Sequence, residues 1–183
     1  MRKKIAILSL HLGYGGVERA ITSLANSLAK LDKYDIEIVS VYKLYEEPVF
    51  DIDEKVKVTY LLPSELSPNR KERKEALNNL KLIRLGKESL KGLKILYARR
   101  KKMVKKKKNT NANVIISTRI FLNELLSEYG KDNILKIGWE HNHYHNDMRY
   151  ATDVIRSAKN LDYFVLVSKG LQKFYHKKMR TFK

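Results

Sequence analysis

The chain contains no cysteine, which excludes disulfides and thiolate chemistry and suits a reducing cytoplasm. Proline is nearly as scarce, and all three residues, Pro48, Pro63 and Pro68, fall where strands give way to loops. No apolar run is long enough to span a bilayer. The opening MRKK and the short apolar stretch after it look like the start of a signal peptide, but His11 and a group of glycines interrupt the run before any cleavage site, so it reads as a strand. Acidic residues are few: 20 against 38 Lys and Arg, a formal charge of +18, and none at all from Ser89 to Asn123. Several chemistries lack their signatures. A dinucleotide site would need a glycine where Glu18 stands and an acid at the end of the second strand, which instead reads Ser40, Val41, Tyr42, Lys43. The Walker lysine with its Ser or Thr, the G-x-S-x-G nucleophile elbow, and RNP, helix-turn-helix and zinc signatures are also missing.

What is present is an alternation of strands and helices. Lys4–Leu10 is a continuous apolar run, as in a strand covered on both faces, and the glycine-rich loop His11–Gly16 follows. From Val17 to Leu31, apolar residues recur at helical offsets, with Glu18, Arg19, Asn26 and Lys30 expected to face outward. Further strands are expected at 35–42, 56–62, 113–119, 134–141 and 162–168. Helix formers fill Arg70 to Lys108, where Gly86 and Gly92 are expected to divide the stretch into two or more helices. Helices are also expected after the fourth strand, around 148–159, and from Lys169. This order predicts one α/β domain, Rossmann-like and doubly wound, with a mostly parallel sheet and helices on both faces.

In such a sheet, ligands bind beyond the carboxyl ends of the strands. Those corners hold His11 and the glycines after the first strand, Ser117, Thr118 and Arg119 after the fourth, Glu140, His141, Asn142, His143 and His145 after the fifth, and Ser168 and Lys169 after the sixth. Gly15 and Gly16 leave the helix start open to an anion such as a phosphate. A sharp strand-to-helix turn alone would also use glycines. His141 fits a hydrogen bond to a phosphate or sugar hydroxyl, or loop packing. Glu140 fits a base or a group that orients the ring. The alternating His141, His143 and His145 match no metal-site spacing, and no metal is expected. Arg99, Arg100, Lys101, Lys102, Lys105, Lys106, Lys107 and Lys108 place eight cations in ten positions. Such a block attracts nucleic acid or an anionic leaflet at about 1 kcal/mol per nearby cation, or stays hydrated as a helix end.

Taken together, KIAILSLHLGYGGVERAITSLANSLAKL, the strand order, IGWEHNH and FVLVSKGLQKFY resemble the N-terminal domain of retaining glycosyltransferases of family 4, which have the GT-B fold. The most specific pieces are Gly15, Gly16 and Glu18, and the histidine after the fifth strand. The resemblance covers nearly all of residues 1–183. It implies a single acceptor-side domain whose donor-binding, C-terminal partner domain lies outside this sequence, so that the chain alone would be inactive. It implies that Gly15 and Gly16 approach the donor diphosphate and that His141 contacts the donor sugar during catalysis. It also implies a nucleotide-sugar co-substrate without metal or other cofactor, and a polysaccharide or lipid-linked acceptor. The expected site of action is the cytoplasm, peripherally on the inner face of the plasma membrane. The basic block, within a segment from Arg84 to Lys108 carrying Leu90, Leu93, Ile95, Leu96, Tyr97 and Met103, is then expected to touch the acceptor or an anionic membrane. The competing readings are a basic nucleic-acid-binding module, for which only non-specific affinity is expected, and a protein-interaction domain without catalysis.

Overall fold

A computed structural model describes residues 2–142, 145 and 147–181. Its elements are β1 (Lys3–Ser9), α1 (Gly16–Lys30), β2 (Tyr34–Tyr42), β3 (Val56–Leu62), α2 (Arg70–Asn78), α3 (Leu82–Lys108), β4 (Val114–Ser117), α4 (Ile120–Tyr129), β5 (Leu135–Glu140), α5 (Met148–Ser157), β6 (Tyr163–Leu166) and α6 (Lys169–Thr181), with one 3-10 turn at Ser64–Leu66. The six strands form a single parallel sheet in the order β3-β2-β1-β4-β5-β6. This is the Rossmann-like doubly wound arrangement expected from the alternating sequence pattern. The chain winds outward from β1 in one direction through β2 and β3, then resumes beside β1 and winds the other way. A crevice therefore opens at the carboxyl ends of β1 and β4, where the order reverses.

Strand periodicity assigns the two faces. Ile5 and Ile7 of β1 and Ile36 and Ile38 of β2 pack on Ile21, Ala25 and Ala29 of α1. Ala6, Leu8, Val39, Val41 and Ile115 point the other way, onto Ile95 and Met103 of α3 and Leu122 and Leu126 of α4. A smaller cluster joins Ala151 and Val154 of α5 to Leu171 and Tyr175 of α6. β2 also buries a charge, Glu37. It accepts from Lys106 Nζ at 2.6 Å and Thr59 Oγ1 at 2.8 Å, and Lys4 Nζ lies 3.0 Å away. Burial alone would raise its pKa, but these partners outweigh it and hold the carboxyl at about 2.

Three local expectations are corrected. Glu18, expected on the outer face of α1, is 2% exposed, because it turns toward the crevice and finds a cation there. Gly86 and Gly92 do not divide the 70–108 stretch; both lie inside α3, which runs unbroken for 27 residues. The break falls at Leu80, whose φ of 52° is left-handed, between α2 and α3. Gly92 instead marks close packing of the two helices: a Cβ there would stand 3.2 Å from Asn69 Oδ1, and Asn69 donates from Nδ2 to Glu88 O at 2.7 Å. The third correction concerns Lys107. It was expected among the surface cations but is 1% exposed and donates to Leu122 O at 3.2 Å, so it has no part in any surface contact. Ile95 and Met103, assigned to the same contact, belong to the core.

Candidate functional site

The site is assembled from three strand ends. After β1, Ser9 Oγ donates to His11 O at 2.6 Å, and the Gly13 N–H donates to His11 Nδ1 at 3.2 Å. An accepting Nδ1 assigns the ring proton to Nε2 in the neutral imidazole. The chain then enters α1 at Gly16 with no side chain capping the first turn, so its leading N–H groups remain available to an anion. A Cβ at Gly15 would collide with the Glu18 carboxylate and force that side chain to shift. Gly16 is different: a Cβ would meet nothing within 4 Å, so the space before the helix start is open.

After β4, Thr118 Oγ1 donates to Leu8 O at 2.9 Å and ties the strand end to β1. The next residue, Arg119, is thereby directed across the crevice. Its Nη2 donates to Glu18 Oε1 at 2.8 Å, an ion pair that joins the two sides of the reversal point, while Arg119 Nε is buried without a partner. Glu18 Oε1 is also 3.7 Å from His11 Nδ1.

After β5, His141 lies with its ring centroid 4.2 Å from that of Trp139. Its Nε2 is buried and has no hydrogen-bond partner. Burial lowers its pKa, Arg119 lowers it further, and Glu18 opposes both. His11 is likewise lowered, by burial first, with Glu18 opposing and Arg119 assisting. One guanidinium, one carboxylate and two imidazoles kept neutral near pH 7 thus face a common space. Neutral imidazoles beside a cation suit hydroxyl and phosphate oxygens, because each ring can donate or accept while the guanidinium and the helix start supply positive potential.

Glu140 is buried at the end of β5, and its Oε2 has no hydrogen-bond partner. Its Oε1 accepts from the Asn142 N–H at 2.7 Å and from Tyr150 Oη at 3.0 Å, which fixes the turn after β5 against α5. Burial, with Glu140 beside it, pushes the Tyr150 phenol up to about 12. Ser117 donates to the buried Asn123 amide on the same side of the sheet. Among the other histidines of this corner, His145 is exposed and His143 lies outside the described residues. Among the described residues, no three His, Asp or Glu side chains are grouped closely enough to hold a metal ion.

Of the expected site residues, the structure gathers Gly15, Gly16 and His141 at one edge of the sheet. The basic block lies elsewhere. Lys106 reaches Glu37, and the chain leaving α3 meets the start of β1 through Asn113 N to Lys4 O at 2.8 Å, so the end of α3 sits at the amino edge of the strands. Arg99 stacks 4.2 Å from the Phe121 ring centroid. Arg100 donates to Glu128 Oε2 at 3.2 Å and Tyr129 Oη at 3.0 Å. Lys101, Lys102, Lys105 and Lys108 are exposed. The Glu18–Arg119 pair is the feature that sequence reasoning missed. Both residues stood in the right corners, and the signal that joins them is the strand order, which makes residues 101 positions apart neighbours across β1 and β4.

No family model matches the chain. Over 48 residues it is 46% identical to a Streptomyces coelicolor protein named exopolysaccharide phosphotransferase. The matched stretch is 26% of this chain, and the chain spans only 5% of the length of that relative.

Proposed function

We propose that this chain forms the acceptor-side wall of a sugar-transfer site of the retaining, family 4, GT-B kind, working with a nucleotide-sugar co-substrate and without metal. The carrying observation is the convergence of His11, Glu18, Arg119 and His141 on the crevice where the strand order reverses, beside an uncapped helix start. The similarity to a protein named for exopolysaccharide chemistry supports a role in sugar transfer. In this reading Gly15 and Gly16 admit a diphosphate to the helix start. The unpartnered Nε2 of His141 bonds a sugar hydroxyl. Glu18 holds Arg119 in place so that its free Nε reaches an oxygen of the ligand. A second α/β domain supplies the opposite wall and most of the donor contacts, so the chain alone binds weakly and does not turn over. The acceptor is a growing polysaccharide or a lipid-linked glycan.

Ligand-detected NMR on the 183-residue chain tests the reading, with UDP- and GDP-sugars, inorganic diphosphate and short oligosaccharides as probes. Trp139, the single tryptophan, adds a fluorescence signal beside His141. Saturation transfer to the sugar protons and broadening of the phosphorus signal of inorganic diphosphate are expected, and the transfer to the sugar protons is expected to vanish in His141→Ala. In a version that carries the second domain the same substitution should lower kcat by roughly 100-fold with KM for the acceptor little changed. No transfer to any of these probes, together with an unchanged rate for His141→Ala, would remove the proposal. Sequence-selective RNA or DNA binding in gel-shift assays at physiological salt would favour the nucleic-acid module instead.

A further inference from the structure

The segment between β3 and β4 places an apolar surface where a soluble fold has no use for one. α2 starts beside Gly92 and Glu88 of α3 and ends beside Arg84, so the two helices form an antiparallel hairpin. α3 rises about 1.5 Å per residue, which puts Leu82 about 37 Å along its axis from Lys107 at the amino edge of the sheet. β1, seven residues long, spans only about 23 Å. The hairpin therefore overhangs the carboxyl edge, the edge that carries the candidate site.

Beyond that edge the hairpin has almost no interior. Between residues 70 and 94 only Ala76 and Gly92 are buried among the core-forming positions of α2 and α3. Its large apolar side chains point outward instead: Leu77, Leu80, Leu82 and Ile83 at the tip are 57–81% exposed, and Leu90 and Leu93 continue the surface along α3 at 64–69%. Ile83, Leu90 and Tyr97 are spaced seven apart and so share one stripe of the helix. A shallow hollow of about 710 Å³ at the tip is lined by Leu80, Leu82 and Ile83 and by the stems of Lys81, Arg84 and Lys87. Charge around it is one-sided. From Arg70 to Lys101 the acids are Glu72, Glu75 and Glu88 against twelve Lys and Arg, and Glu75 and Glu88 are engaged within the hairpin by Arg84 and Asn69.

An apolar tip collared by cations matches a bilayer with anionic headgroups. Leucine and isoleucine enter the acyl boundary, while lysine and arginine stems lie along it and carry their charges to the phosphates. We infer that the α2–α3 tip, and not the lysine run at the other end of α3, inserts into the surface of an anionic membrane. The inference stands on this surface alone and does not depend on the sugar-transfer reading. Where both hold, insertion of the tip turns the crevice edge toward the lipid.

The absence of cysteine makes a site-specific label simple to introduce. Ile83→Cys carrying an environment-sensitive fluorophore is mixed with vesicles of phosphatidylcholine alone, or with about one-third phosphatidylglycerol. A blue shift with the anionic vesicles is expected, and none from the same label at Lys33→Cys on the exposed turn after α1. In co-sedimentation, Leu80→Ser with Ile83→Ser should lower partitioning roughly tenfold or more, whereas Lys101→Gln with Lys105→Gln should change it only a few-fold at low salt. Both serine substitutions lie at positions about 80% exposed, and unchanged circular dichroism confirms that the variant folds. Equal partitioning of wild type and the serine variant would overturn the inference. So would sedimentation without a shift at residue 83, which would mean electrostatic adsorption only. Comparable binding of RNA or DNA, lost in the same serine variant, would assign the surface to nucleic acid and overturn it equally.

Discussion

Lys107 gives a sharp test of the packing between α3 and α4, because burial has a calculable consequence there. Its ammonium is removed from water, and burial lowers its pKa from 10.5 to about 6, against a small opposing pull from Glu128. Between those two values the unfolded chain holds a proton that the folded chain does not, so unfolding free energy rises with pH by up to about 1.4 kcal/mol per unit. At pH 7 the gap of roughly 3.5 units corresponds to a burden of about 5 kcal/mol relative to a pH above 10.5; below pH 6 the burden stops growing. The window from pH 7 to 9 belongs to this group. Glu37 titrates far below it, and His11 and His141, with lowered values, act below about 6.5. The raised phenols of Tyr42, Tyr60 and Tyr150 act above 10. Lys107→Met removes the charge and keeps most of the volume, and the carbonyl it leaves, Leu122 O, remains inside α4. Urea unfolding followed by Trp139 fluorescence at pH 7, 8 and 9 should show wild-type stability climbing by about 1 kcal/mol per unit. The methionine variant should show a flat line, at least about 2 kcal/mol higher at pH 7. Parallel slopes for the two proteins would refute the argument, since they would mean that Lys107 keeps its proton in the folded state.

Glu37→Gln should act in the opposite direction, as the wild-type carboxylate stabilises the fold above pH 4.5 and that contribution fades as pH falls toward 2. The variant should lose at most about 3 kcal/mol at neutral pH and show a flatter acid limb in urea titrations. The two glycines of α3 should separate: Gly86→Ala meets open space and gains up to about 1 kcal/mol, whereas Gly92→Ala crowds Asn69 and gains nothing or loses stability, as read by thermal melts. Arg119→Gln should raise the pKa of His141 and Glu18→Gln should lower it further, because the cation depresses and the carboxylate supports the protonated ring. Histidine-ring NMR titrations read both signs, and shifts in the same direction would break the proposed three-group geometry.

The sheet was legible because β1, β2 and β3 are apolar runs ended by glycine, lysine or proline, and because the strand-helix alternation leaves few parallel topologies to consider. The corners that carry His11, Arg119 and His141 followed from the rule that ligands sit beyond strand carboxyl ends. Glu18 was misplaced because a helical wheel separates the sheet side from the solvent side and does not register a residue in the first turn that leans over the strand ends toward Arg119. Gly86 and Gly92 were misread because a glycine lowers helix propensity by only about 1 kcal/mol, which the packing of Ile95 and Met103 overrides. Lys107 was invisible because nothing local distinguishes it from Lys106 or Lys108; only the position of α4 decides which of the three is covered.

One helix thus serves two environments. At its root α3 must lie against β2 and α4, so two of its terminal lysines are drawn inward: Lys106 to neutralise Glu37, and Lys107 beneath Leu122 at a cost in stability. At its tip the same helix has left the sheet behind, and the residues that would form a core if another layer covered them, Leu82, Ile83, Leu90 and Leu93, stand in solvent. A helix end frays unless something holds it, and this hairpin has little interior of its own. The root contacts therefore do more than fill space. By fixing α3 along its sheet-bound half, the Glu37–Lys106 pair and the Ile95 and Met103 packing determine where the unsupported half points. Loosening the root with Glu37→Gln should then weaken attachment of the tip to anionic vesicles even though residue 37 lies near the opposite end of the helix.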